Sequence, residues 1–419
     1  MTQTYFQNLT QALHQAGICT PTLVIDKQRL DHNIDQLMGV LKQGFDYRIV
    51  AKSLPSIPLL HHIMGRTGSR RLMSFHLPFL IHLVEQIPGA DVLLGKPMPV
   101  AAARHFYRWY NRQRGHTGFA PESQLQWLVD GQQRLLQYQA LAQELGVRMR
   151  INLEIDIGLH RGGFRDAGEF RQALQHLATS KQLQLSGLMG YEAHITKIPA
   201  LLGGPQKAFA RARQRYTEFV AIIKDTLGEA ACADLCLNTG GSTTYPLYRN
   251  EIPGDGNEIA TASALLKPTD FDVYTLEHHQ PAAFIAAPVL KKTHNPEIPM
   301  APGLSRLLRG LGKLPHQGCF IYGGNWLAQP YYPPGSKRSL ILGHSSNQEL
   351  YELAAGVSLD MDDFLFFRPT QSEAVLLQFD RIAVYEAGDI VDGWPVFSYP
   401  EPLHSYPVEA RISAAGNGA

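Results

Sequence analysis

The amino-acid sequence predicts an α/β fold, a (β/α)8 TIM-type barrel followed by a carboxy-terminal, mostly-β domain. Three observations predict it. Strand-like and helix-like apolar patterns alternate with little interruption from residue 22 to 238, which is the signature of a parallel sheet. The alternation fits about eight βα units over roughly 240 residues, the size of a closed barrel rather than an open doubly wound sheet. After about Asp272 the character changes, and Pro, Gly, aromatic residues and short β-branched runs replace helical spacing. At 419 residues the chain is too long for one ordinary core. The expected division is a barrel over 1–275 and a β domain over 276–419.

Residues 1–17 read as a short amphipathic helix, with Leu9, Ala12, Leu13 and Ala16 on one side. It is ended by Thr20-Pro21-Thr22 and could pack on either domain. Strand 22–26 precedes helix 27–43, where Leu30, Ile34, Leu37, Met38 and Leu41 recur at helical spacing. Strand 47–51 leads to helix 56–65, strand 71–75 to helix 77–86, and strand 91–94 to helix 99–112. Beyond a loop over 112–121, the pairs are 125–129 with 131–145, 148–155 with 167–179, and 184–189 with 206–227. Strand 235–238 is expected to close the series. In the β domain, strands are expected at 284–290, 318–322, 339–342, 364–367, 374–379 and 382–385, with Gly-Asp and Asp-Gly turns at 388–389 and 392–393.

A formal net charge of +1 and no charge block give no electrostatic case for nucleic acid or an anionic membrane. No apolar run reaches membrane-span length and no leader pattern opens the chain, so a cytoplasmic protein is expected. Cys19, Cys232, Cys236 and Cys319 have no second Cys/His pair at zinc spacing and read as buried thiols in a reducing compartment.

Chemistry in a parallel barrel sits where strands end at their carboxyl side. Lys52 ends strand 47–51, a position suited to a Schiff-base amine; taken alone, it reads better as a lysine reaching solvent. Strand 148–155 runs into Asp156-Ile157-Gly158-Leu159-His160-Arg161. Arg161 either pairs with Asp156 or Glu154, or faces a cofactor ring nitrogen, which its permanent charge would keep unprotonated. Tyr191 and His194 follow the next strand as acid–base groups or cofactor contacts. Thr239-Gly240-Gly241-Ser242-Thr243 follows strand 235–238. Its glycines let backbone N–H groups approach an anion, and its hydroxyls add donors. A phosphate loop in one barrel mouth with a strand-end lysine describes a pyridoxal 5'-phosphate site.

Thr20-Pro21-Thr22-Leu23-Val24-Ile25-Asp26, Val50-Ala51-Lys52-Ser53, Asp156-x-Gly-x-His-Arg161-x-Gly163, Gly187-Leu188-Met189-Gly190-Tyr191-x-x-His194 and Thr239-Gly240-Gly241-Ser242-Thr243 resemble the D-threonine aldolase/D-serine dehydratase group. These are fold-type III pyridoxal-phosphate enzymes with an alanine-racemase-like barrel, and the resemblance covers about residues 20–270. It implies a carboxy-terminal β domain and a homodimer acting on a small amino acid. It matches Lys52 to the Schiff-base lysine, Arg161 to the arginine near the pyridine nitrogen, and Tyr191 to a cofactor-side tyrosine. Gly240, Gly241 and Ser242, preceded by Thr239, match the phosphate loop.

Members of the group that eliminate water or cleave Cα–Cβ carry a divalent metal on a His-x-Cys or His-x-Asp pair after a proline. Here Pro369 is followed by Gln371 and Glu373 at those positions. An amide oxygen is a poor zinc ligand, so these two residues are candidates only for a doubtful metal, and Glu373 is instead an acid or base in its own right. Polar loops over 322–326 and 343–349, with Tyr331 and Tyr332, suggest an altered pocket. The expected activity is a lyase on a D- or β-hydroxy-amino acid, using Lys52, His194 and Glu373. The alternatives are a metal-independent amino-acid racemase and a non-catalytic pyridoxal-phosphate-binding protein.

Overall fold

The computed structural model describes residues 2–113, 116–357 and 359–398. The small-residue, Ala/Gly-rich tail after Arg411 lies outside them. Strand β1 (Thr22–Asp26) comes first in the chain but stands outside the barrel. Eight parallel strands close the barrel: β2 (Asp46–Val50), β3 (Arg71–Ser74), β4 (Asp91–Leu94), β5 (Leu125–Val129), β6 (Met149–Ile155), β7 (Leu183–Gly190), β8 (Cys236–Thr239) and β9 (Glu258–Thr261). Asp46 opposite Glu258 closes the ring.

The sequence reading therefore needs two corrections. Strand 22–26 is not a barrel strand, and strand 235–238 does not close the series. The eighth strand is Glu258–Thr261, whose period is hidden because Glu258 is polar yet fully buried against Arg48.

The remaining strands build one nine-stranded sheet with β1: β10 (Ala283–His294), β11 (Gln317–Tyr322), β12 (Ala328–Tyr332), β13 (Lys337–Arg338), β14 (Gln348–Glu352), β15 (Phe364–Pro369), β16 (Arg381–Glu386) and β17 (Asp389–Pro395). β1 lies between antiparallel β10 and parallel β16. Its alternation explains the location. Leu23 and Ile25 enter the main core, while Val24 faces the opposite side with Phe6, Leu9, Leu13, Phe284 and Phe366. The amino-terminal helix Thr2–Gln15 thus seals the far face of this sheet, each large apolar side chain contributing about 1.5–3 kcal/mol by burial.

Three β-domain expectations also differ. Residues 339–342 form bends, while Lys337–Arg338 and Gln348–Glu352 are the strands. Residues 372–376 form a short helix, Ser372–Leu376, rather than a strand, because Val375 and Leu376 bury as well on a helical turn. The β16–β17 turn is Ala387-Gly388, and Asp392-Gly393 lies inside β17. Nor are all four thiols buried: Cys19 is exposed.

Helix Lys27–Leu41 joins β1 to the barrel. Asp26 caps it by accepting from Arg29 N at 3.0 Å, and buried Asn33 donates to the Leu265 and Gln280 carbonyls at 2.8 and 2.7 Å. That link ties the segment leaving the barrel to the helix entering it. Among the described residues no helix is long and apolar enough to cross a membrane.

Candidate functional site

β2 ends at Val50, and the turn Ala51–Ser53 follows it. The side chains of Ala51 and Ser53 are buried, which anchors the turn and leaves Lys52 to line a cavity of about 260 Å³ at the carboxyl ends of the strands. Lys52 Nζ lies 4.7 Å from the centre of the Phe75 ring. It donates to Glu373 Oε1 at 3.2 Å, while Ser53 donates to Glu373 Oε2 at 3.1 Å. Burial pushes the Glu373 carboxyl up, but the Lys52 charge and these hydrogen bonds outweigh it and hold it below its ordinary value. Glu373 is therefore ionised at neutral pH, although only 34 % of its side chain is exposed.

Gly240 to Thr243 form another part of the cavity wall. Gly240 has φ +80°, a conformation that favours glycine. At Gly241 a Cβ would stand 3.2 Å from Tyr191 Cε2, so a side chain would crowd the tyrosine. Among the described residues no acceptor meets the N–H groups of Gly241, Ser242 or Thr243. Ser242 Oγ lies 2.9 Å from Thr261 Oγ1 and accepts from Ala262 N at 3.2 Å, which fixes the loop to β9. Unpartnered amides on a glycine turn are an anion site in waiting. Thr239 behaves differently from its neighbours. Its hydroxyl bonds Tyr248 Oη at 2.7 Å, and the residue does not line the cavity.

Arg161 lines the cavity, with its guanidinium 4.9 Å from the centre of the Tyr191 ring. It forms no salt bridge among the described residues. Asp156 is engaged elsewhere: it accepts from the Gly158 and His160 N–H groups, from the His160 ring at 2.8 Å and from Arg165 at 2.6 Å. Burial opposes its ionisation, but the bonds from His160 and Gly158 prevail and take its carboxyl down to about 2. Glu154 is the acid that senses Arg161. Burial lifts it to about 7, with Arg161 pulling it down and Asp130 and Asp156 pushing it up. Tyr191 is raised, first by burial, with Arg161 opposing.

His194 does not line the cavity. It packs on Gly158, where a Cβ would stand 2.9 Å from its Nε2, and its buried Nδ1 has no partner among the described residues. Gln371 does line the cavity, and it donates to Asp270 Oδ2 at 3.0 Å. Among the described residues no group of three His, Cys, Asp or Glu is placed to hold a metal. The loops over 322–326 and 343–349 join each other instead of the cavity. Glu349 accepts from Asn325 N, His344 and Tyr351, and Gly323 N donates to Asn347 O.

Two charged lining residues escaped the sequence reading. Lys197 stands in the turn Ile195–Lys197 after β7, and Asp270 in the turn Thr269–Phe271 after β9. Neither ends a predicted strand, so no strand-end rule reaches them.

The alanine racemase N-terminal domain family matches residues 25–252, more than half of the chain. No curated protein matches it significantly. Among solved structures, D-threonine aldolase from Filomicrobium marinum superposes with a TM-score of 0.68 at 15 % identity, covering 90 % of this chain and 94 % of that one. D-threo-3-hydroxyaspartate dehydratase from Delftia sp. HT23 gives 0.68 at 16 %, covering 90 and 97 %. Alanine racemase from Clostridium difficile 630 gives 0.64 at 12 %, covering 90 and 98 %. These likenesses concern the fold. With the family matched over residues 25–252, the chain belongs to the alanine racemase N-terminal domain family of fold-type III pyridoxal-phosphate enzymes.

Proposed function

We propose that this protein is a pyridoxal-phosphate-dependent lyase acting on a D- or β-hydroxy-amino acid. The observation that carries the reading is the Lys52–Glu373 pair, at 3.2 Å, in one cavity with a glycine loop whose N–H groups are unpartnered. The donor set fits the cofactor. Gly241, Ser242 and Thr243 offer N–H groups to a phosphate, Lys52 offers the amine that holds an aldehyde, and Arg161 offers donors to a ring nitrogen.

Bound cofactor supplies a sink for negative charge at the substrate α-carbon. Lys52 would hold the cofactor through its amine, and the same amine would move a proton at that carbon. Arg161 would face the ring nitrogen with a permanent positive charge, which would keep it unprotonated and moderate the sink. Lys197 has no side-chain partner among the described residues and supplies the charge for the substrate carboxylate. Met73, Phe75 and Met189 line the apolar part of the cavity and exclude water. An ionised Glu373 suits removal of a proton from a β-hydroxyl better than donation to a leaving hydroxyl. That favours aldol cleavage over dehydration and deamination.

Racemisation is the second reading. Gln371 is committed to Asp270, and Glu373 to Lys52 and Ser53, so the two residues at the family's metal positions already have partners. The test is product analysis in deuterated water on D-threonine, D-serine, D-threo-3-hydroxyaspartate and D-alanine, with and without added divalent metal. Glycine with an aldehyde, or a keto acid with ammonia, supports the lyase. Interconversion of enantiomers without those products would replace it with a racemase. No spectral change with any amino acid would leave a cofactor-binding protein without turnover.

A further inference from the structure

Behind the glycine loop lies a carboxyl group that the chemistry above does not use. Glu192 follows Tyr191 and is fully buried. Its Oε2 bonds the Tyr248 hydroxyl at 3.0 Å, and that hydroxyl bonds Thr239 Oγ1 at 2.7 Å. Thr239 is the residue immediately before Gly240. The neighbours of Glu192 therefore grip the loop at several points. Tyr248 holds its entry through Thr239, and Tyr191 packs on Gly241. Thr244, beside Glu192, closes the turn through its hydroxyl to Gly241 O at 3.4 Å.

We infer that Glu192 is a positioning residue for the cofactor's phosphate loop, acting as a neutral acid through Tyr248 and Thr239, and that its ionisation loosens the loop's hold on phosphate. The inference rests on the reading of residues 240–243 as that loop. The first support is an orphan atom. Among the described residues Glu192 Oε1 is buried without a hydrogen-bond partner, which a buried carboxylate tolerates far less well than a neutral acid. The second is the absence, among the described residues, of an ion pair with Arg213, the cation that acts on Glu192. Arg213 stands with its Cζ 5.4 Å from the centre of the Tyr248 ring and with its own Nη1 buried and unpartnered. Acid and base flank one tyrosine and do not meet.

The groups facing Glu192 are the Tyr191 and Tyr248 phenols, the Thr244 hydroxyl and Arg213, with the Thr239 hydroxyl one step removed on Tyr248. Arg161 and Glu373 lie on the cavity side of Tyr191. Burial lifts the Glu192 carboxyl to about 7, opposed by Thr244, Tyr248 and Arg213. Ionisation would draw the Tyr248 hydroxyl and Arg213 toward the carboxylate, and set a negative charge behind a loop that holds a phosphate.

The test is release of pyridoxal phosphate from the holoenzyme, followed by its absorbance from the acid to the alkaline side of neutrality, in wild type and Glu192→Gln. Wild type should release the cofactor about tenfold faster at the alkaline end relative to the variant, whose profile lacks that limb. Parallel profiles would overturn the inference. Should Glu192→Gln fail to fold, Tyr248→Phe breaks the same link while keeping the ring. It should release the cofactor quickly even on the acid side, and a wild-type profile there would equally overturn the inference. Lys52→Ala separates the two levels. A cofactor band that survives Lys52→Ala refutes the underlying site, whereas a Lys52-dependent band with parallel profiles refutes only the role of Glu192.

Discussion

The two ends of the barrel both bury charge, and they treat it in opposite ways. At the amino-terminal end Arg48, wholly buried, meets Glu258 at 2.5 and 2.9 Å, Asp91 Oδ1 at 2.7 Å, the Leu72 and Asp91 carbonyls, and Cys236 Sγ at 3.7 Å. Arg71, Arg150 and Asn238 complete the ring around the two carboxylates. Every guanidinium nitrogen of Arg48 has a partner. At the carboxyl end, Glu192 Oε1, His194 Nδ1 and three loop amides have none among the described residues. Polar groups inside a barrel thus say little by themselves. A saturated network is structure, because breaking it strands a buried charge; unpartnered groups call for a further account, and for the loop amides that line the cavity it is a ligand's atoms.

Substitutions at the two ends should therefore separate stability from chemistry. The largest effect is expected for Lys52→Ala. It should abolish the near-visible absorbance of bound cofactor and all turnover while leaving the unfolding midpoint in place, and a surviving band would break the contrast. Glu373→Gln should lower turnover by about 10²–10⁴ with cofactor still bound, read from kcat on the best substrate of the panel. Glu258→Ala, at the other end, should cost about 3–5 kcal/mol of folding stability by removing the buried carboxylate that Arg48 Nε and Arg71 share, measured by denaturant unfolding. Lys197→Ala should raise KM about tenfold with little change in kcat, with Lys197→Arg partly restoring it. An unchanged KM would return Lys197 to the solvent.

The ends should also differ in their response to pH. Burial opposes ionisation of Glu258, but Arg48 prevails and takes it from an ordinary 4.5 to about 2. Its stabilising contribution is present above 4.5 and lost as pH falls toward 2. Glu154 and Glu192 are lifted from 4.5 to about 7, chiefly by burial. Their contribution is complete below 4.5 and declines as pH rises through 7. Urea midpoints across pH should show both limbs, and Glu154→Gln should flatten only the neutral one.

Much of the barrel and of its lysine was legible in the sequence because the signals are local. Apolar spacing sets helix against strand, and the carboxyl end of a parallel strand fixes which residues reach the mouth. Lys52, Arg161, Tyr191, Gly240, Gly241, Ser242, Gln371 and Glu373 all line the cavity, while Thr239 and His194 do not. Strand alternation accounts for the first exception. Asn238 points inward, so Thr239 points outward, toward Tyr248. Lys197 and Asp270 stayed hidden because they stand on turns whose course depends on what the loops pack against.

What the sequence determined alone was the alternation of elements, the lysine and the glycine loop, because each is written in a few adjacent residues. Tertiary structure decided which sheet takes Thr22–Asp26, which strand closes the barrel, and what stands beside Lys52. Those choices depend on partners far along the chain. Glu373 lies 321 residues from Lys52, and no local period or propensity spans that separation.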